Sequence, residues 1–255
     1  MKRLALALGL PIVLVAVWFF ASTGSESFYA PPLRQILTAF ADTWTPERLR
    51  ADVLPSVLRL LAGYALAALL GIAIGVAVGA NPRLRATVEP VLEFFRAVPP
   101  PVLVPVIMLF AGIGNSMKII VIAAGCLWPI LLNTVEGIRA VDSVLSDTAR
   151  AYGIRGSARL RHLLLRGASP QIAAGLRQAL SIAIILMVIS EMFASSSGVG
   201  FAIVDFQRGF SIPEMWSGII LLGVLGFLLS LAFRVFETRA LRWYHGLRRP
   251  QRGDA

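Results

Sequence analysis

The side chains of this chain that could do chemistry are few and scattered. Its one cysteine, Cys126, lies inside an apolar run, with no second thiol for an intrachain disulfide and no clustered histidines to complete a metal site. The two histidines, His162 and His245, each sit among arginines in polar segments and read as solvated or headgroup-facing residues. Of the two lysines, Lys2 and Lys118, neither follows a glycine-rich loop, so the phosphate cradle of an ATPase is missing. No nucleophile stands beside a base, and no two histidines are four residues apart, so the usual constellations of a membrane-embedded enzyme are excluded. We therefore expect no catalytic residue, no metal site and no cofactor in this chain. What remains is charge in costly places. Glu191 lies near one end of an apolar run and Arg177 near the other. Their separation along a helix is about 21 Å, too far for them to pair. Ionisable groups at membrane depth usually face a bundle interior or a cavity. Two readings of Glu191 stand: a gate facing a path or a dimer seam, or an interfacial carboxylate in contact with water. Glu93 and Arg96, at i,i+3, could form a local pair of a few tenths of a kcal/mol, and carry no chemistry.

The elements that must hold these residues follow from hydropathy. The chain has 255 residues, 57% of them hydrophobic and 15% charged, with a mean hydropathy of +0.76. A soluble domain carries about 25% charged residues. At roughly 20 residues per span, the chain has room for about six transmembrane helices. The apolar runs fall at 4–20, 57–80, 102–111, 118–135, 172–193 and 216–236. We therefore expect an all-α integral membrane protein in four parts: an N-terminal transmembrane helix over 1–22, an extracytoplasmic loop over 23–52, a transmembrane core over 53–236 and a basic cytoplasmic tail over 237–255. The first run also has the form of a secretory signal, but it ends in Trp18-Phe19-Phe20 where cleavage needs small residues, so a retained helix is favoured. Thr45-Pro46 reads as an N-cap followed by proline at the first helical position. Gly71, Gly75 and Gly79 recur at helical spacing and form a face against which a neighbouring helix can pack closely. Pro99, Pro100 and Pro101 interrupt any regular helix. That break lies either at membrane depth beside a pathway or in a loop just outside the bilayer.

The net charge of +10 is arginine-rich and sits between the apolar runs rather than on one face with aromatic platforms, which argues against nucleic acid. Fifteen positive residues fall in 1–3, 81–87, 137–171 and 237–255, against five in 21–52, 112–118 and 194–215. The asymmetry places both termini in the cytoplasm.

The informative polar stretch is Asp142–Pro170. Leu145, Ala149 and Tyr152 fall at i, i+4 and i+7, one stripe of a short amphipathic helix. Gly153 and Gly156 break it, and Leu160, Leu163 and Leu164 begin a second. Two short helices with small residues at the bend offer a knob to a protein partner. A basic amphipathic helix lying on anionic headgroups has the same composition.

Within that stretch, Asp147-Thr148-Ala149-Arg150-Ala151-Tyr152-Gly153 resembles the EAA motif of binding-protein-dependent ABC transporter permeases, a Glu-Ala-Ala followed after three residues by Gly. Acid, Ala149 and Gly153 match by type. Asp147 and Thr148 depart from it, as do Leu163 and Arg166 in the following Ile-x-Leu-Pro element. Resemblance to the nitrate/sulfonate/taurine branch extends over nearly the whole chain. It runs through Arg59-Leu60-Leu61-Ala62-Gly63, Arg96–Pro100, Gly112-Ile113-Gly114, Pro129–Thr134, Ala174–Arg177, Glu191-Met192-Phe193 and Ser197–Gly200. The resemblance implies a MetI-like fold and a permease subunit of an ABC importer for a small solute, such as a sulfonate or nitrate. It implies two permease copies forming the path, and a cytoplasmic ATPase dimer, carrying ATP and Mg, that grips a coupling segment at 142–166. An extracytoplasmic solute-binding protein would deliver the solute. Asp147, Thr148, Ala149, Tyr152 and Gly153 would carry the coupling contact, and Glu191, Arg177, Pro99 and Pro100 are candidates for the gate or path. The competing class, an ATP-independent secondary transporter or channel, predicts inverted repeats and paired broken helices. No such repeat is evident.

Overall fold

Polar residues at the ends of apolar runs decide where each helix starts. Asn81 caps the helix that follows it, its Oδ1 accepting from the amides of Arg83 at 3.0 Å and Leu84 at 3.3 Å, with Pro82 at the first helical position. Thr45 does the same with Pro46 and the amide of Arg48. The computed structural model describes residues 2–193 and 195–244, and the regular elements among them are all helical. In chain order these are α1 (Lys2–Ser22), α2 (Leu33–Thr43), α3 (Pro46–Ala80), α4 (Pro82–Ala97) and α5 (Pro100–Ala111). They are followed by α6 (Asn115–Arg139), α7 (Ser143–Ala151), α8 (Gly156–Phe193), α9 (Val199–Arg208) and α10 (Ile212–Ala240). The basic tail is described as far as Tyr244, and His245 lies outside the described residues.

Among the described residues, α3, α6, α8 and α10 are each long and apolar enough to cross a bilayer. The pair α4 and α5 reaches that standard only jointly and is bent by 79° at the prolines. Val98 and Pro99 are extended there, and Pro100–Val102 form a 3-10 turn. The apolar part of α1, Gly9–Ser22, is shorter than a full span. The helices outrun the apolar stretches: 57–80 becomes part of α3, 118–135 of α6, 172–193 of α8 and 216–236 of α10. Hydropathy reports the hydrocarbon thickness, whereas backbone hydrogen bonding continues into polar turns until a cap stops it. Polar residues between the apolar runs are helical too: 82–85 form the first turn of α4, and α9 lies between Phe193 and Ile212.

The chain divides into two compact units, Met1–Ser56 with Ser195–Leu225, and Val57–Ala194 with Gly226–Ala255. In the first, Trp44, Val199, Ala202, Phe206 and Leu221 form the core, and the Trp44 indole donates to Ser217 Oγ at 3.0 Å. The start of α9 is held by α3: Gly198 N donates to Asp52 Oδ1 at 2.9 Å and Val199 N to Ser56 Oγ at 3.0 Å. Asp52 lies in a wide π-turn at Leu49–Val53.

In the second unit, α6 is the central element and packs closely against α8. Gly71, Gly75 and Gly79 of α3 lie directly on α6. A Cβ at Gly75 would stand 2.6 Å from Thr134 Cβ, and one at Gly71 or Gly79 would stand 2.9 Å from Ile130 or Ile138. Phe95 of α4 stacks on Trp128 of α6 at 5.7 Å, beside a core of Val78, Leu92, Leu131 and Val135. Ile138, Leu164, Ala168 and Ile172 close the other end of the α6–α8 contact.

Candidate functional site

The short helix α7 is set up by its flanks. Asp142 caps it, Oδ1 accepting from Val144 N at 2.7 Å and Leu145 N at 3.1 Å. At the other end Gly153 N donates to Arg150 O at 3.1 Å and Ile154 N to Ala149 O at 2.9 Å. This double bond pattern needs a left-handed residue after the cap, and Gly153 supplies it at φ +69. No atom lies within 4 Å of a Cβ built at Gly153, so backbone conformation rather than space demands glycine there. Gly156 is also left-handed, at φ +55. The stripe expected from Leu145, Ala149 and Tyr152 is split: Ala149 is buried, whereas Leu145 and Tyr152 are exposed, Tyr152 at 81%. A nine-residue helix has one buried contact line, and here the small Ala149 occupies it, leaving the bulky side chains outward. Asp147 pairs with Arg150 at 3.3 Å on the exposed surface, and Thr148 donates to Val144 O at 2.7 Å. The second short helix expected after Gly156 is instead the first turns of α8, including a π-turn at Leu160–Leu164. His162 lies exposed in that turn. Beneath α7 is a polar cavity of about 300 Å³ lined by Arg139, Ser146, Asp147, Arg150 and Arg159.

A second cluster is buried. Glu191 is 1% exposed, and Arg59 of α3 donates to its Oε1 from Nη1 at 2.8 Å. Arg59 also donates from Nε to Asn115 Oδ1 at 2.7 Å, at the start of α6. One turn further on, Lys118 is buried within electrostatic reach of both Arg59 and Glu191. Glu191 is thus enclosed within this chain and faces Arg59. A carboxylate enclosed in apolar helices needs a counter-charge, and the antiparallel α3 brings Arg59 to it.

The other expected residues are not brought together with it. Arg177 pairs with Glu237 of α10 beside an open cavity of about 560 Å³. Pro100 lies over Gly125 of α6, and Pro99 is exposed. Cys126 is buried, its Sγ donating to Ala179 O at 3.3 Å. Among the described residues there is no group of His, Cys, Asp and Glu that could hold a metal.

Residues 67–242 match the family described as the binding-protein-dependent transport system inner membrane component. The chain belongs to this family. The permease is 32% identical over 92% of its length to the Bacillus subtilis (strain 168) protein SsuC, assigned to aliphatic sulfonates transport, of which it covers 86%. It is 27% identical over 95% of its length to the taurine transport system permease protein TauC of Escherichia coli (strain K12), covering 91% of it. In fold, the permease is similar to a chain of the inward-facing MetNI methionine ABC transporter, with a TM-score of 0.66 at 19% identity. That match spans 76% of this chain and 95% of the other. The permease is thus a multi-pass inner-membrane subunit of an ABC importer and works with an ATPase and a solute-binding protein. ATP hydrolysis belongs to the separate ATPase subunit.

Proposed function

We propose that two copies of the permease enclose the path, that both termini face the cytoplasm, and that α7 is the handle turned by the ATPase dimer. The single observation carrying this reading is the outward display of Leu145 and Tyr152 on a short helix held by Asp142 and Gly153. Asp147, Thr148, Ala149, Tyr152 and Gly153 lie at or beside the contact, and ATP and Mg bind to the ATPases. Only Tyr152–Arg155 separate α7 from α8, so a push on α7 passes directly into a membrane span. Glu191 and Arg59 serve to hold span ends together rather than to line the path. The solute is a small oxyanion of the sulfonate class, a reading supported by the sulfonate and taurine relatives.

The test is co-purification and transport with the cognate ATPase and binding protein in proteoliposomes. Leu145→Asp combined with Tyr152→Ala is expected to cut ATPase retention and sulfonate uptake at least about tenfold, roughly 1.4 kcal/mol of contact, with the melting temperature unchanged. Retention and uptake at the unmodified level would refute the handle. ATP-driven uptake of a cation in place of sulfonates would refute the solute class.

A further inference from the structure

We infer that the cavity between α8 and α10 binds the headgroup of an anionic membrane phospholipid. Its polar lining comes from Arg177 and Ser181 of α8 and from Ser230, Arg234, Glu237 and Thr238 of α10. Glu237 is already engaged by Arg177. Arg234 is exposed and makes no ion pair among the described residues. The lining therefore carries two guanidinium groups against one carboxylate, and the hydroxyls of Ser181 and Ser230 face the same space. An excess guanidinium beside hydroxyl donors is the chemistry that holds a phosphate oxygen. Basic pockets between membrane helices are where anionic headgroups bind.

Two features select a lipid over a free oxyanion. First, Phe227, Leu231 and Arg234 share one face of α10 at i, i+4 and i+7, and Phe227 and Leu231 are exposed. A ligand with its charge on Arg234 would thus lay an apolar chain along the next two turns. Second, Arg234 lies about 9 Å along the helix from the end of α10 at Ala240. Beyond it come Arg239, Arg242, Trp243 and Tyr244, the aromatic and basic residues of a membrane–water boundary. The cavity sits at headgroup depth.

The experiment extracts the full-length permease from nanodiscs holding equal amounts of phosphatidylglycerol and phosphatidylcholine, then counts retained lipid by native mass spectrometry. Phosphatidylglycerol is expected to be retained about tenfold over phosphatidylcholine, the selectivity of one charged hydrogen bond. Arg234→Gln should bring the two lipids to parity, and Ser230→Ala should cut the preference about threefold. Neither variant leaves a buried charge, and unchanged melting temperatures would certify the fold. Equal retention by the unmodified chain would overturn the proposal, as would a preference surviving both substitutions. Displacement of the lipid by inorganic phosphate or ethanesulfonate would also overturn it, by making the site one for a free oxyanion.

Discussion

Glu191 and Arg59 form a buried ion pair, with side chains 0% and 8% exposed. Removing one partner of a buried pair is far more damaging than removing both, since the survivor keeps its desolvation cost. Glu191→Gln should lower stability by about 3 kcal/mol, read as the denaturation midpoint in detergent. Arg59→Met and Glu191→Leu combined with Lys118→Met, which removes the third buried charge, should recover most of that loss. Equal damage from the single and combined variants would mean that the ion pair is not what holds the span ends. Gly153 is a backbone matter. Gly153→Ala should cost about 1 kcal/mol through the left-handed conformation and blunt ATPase coupling, whereas Ala at Gly24, where a Cβ meets nothing and φ is not positive, should leave coupling untouched. At this scale the sequence marked Glu191 by its charge in an apolar run but did not show its partner. Search along a single helix excludes Arg177 and never reaches Arg59, 132 positions away. Asn115, the second acceptor for that guanidinium, carries no charge that could have marked it.

Helix packing turns on small residues. Gly75→Ala places a methyl group 2.6 Å from Thr134 Cβ and 2.9 Å from the Leu131 carbonyl, atoms that cannot swing away. We expect a loss of about 1–3 kcal/mol, the usual cost of overpacking, seen in thermal melts. Gly223→Ala in α10 meets no atom within 4 Å and should be neutral or slightly stabilising. Equal melting temperatures for the two variants would show that α3 and α6 are not in close contact. The glycine spacing, the Thr45-Pro46 start and the proline break were all readable from residue type, because each is a local backbone effect. The division of Leu145 and Tyr152 from Ala149 was not, since it depends on what lies beneath α7. The π-turns were also hidden, because their cause is a single extra residue rather than a composition.

For the whole molecule, the class was legible because hydropathy and arginine placement are summed over many residues and survive local errors. Burial within the chain was not legible. Of the most apolar window of α10, 6% is buried in this chain, against 56% for α6, so a span's hydropathy says nothing about which neighbour covers it. The orientation can be tested cleanly, because Cys126 is buried and gives little background to thiol reagents. Tyr152→Cys should react with an impermeant maleimide only in inside-out vesicles, and Leu37→Cys only in intact cells with a permeabilised outer layer. Labelling of Tyr152→Cys from outside would invert the topology and remove the ATPase from reach of α7.

The wide turn at Leu160–Leu164 lets the chain adjust angle without changing chemistry. Such a turn holds one residue more than a regular helix, and each residue of an α-helix advances the azimuth by about 100°. Deleting one residue there would let α8 close into a regular helix with its flanks still in phase, whereas deleting one from the regular helix that follows, at Leu165–Ala168, would swing α7 around the axis by that amount with every side chain of α7 intact. The permease would then keep its spans and its docking residues but present them in the wrong direction, a phase error rather than a lost part.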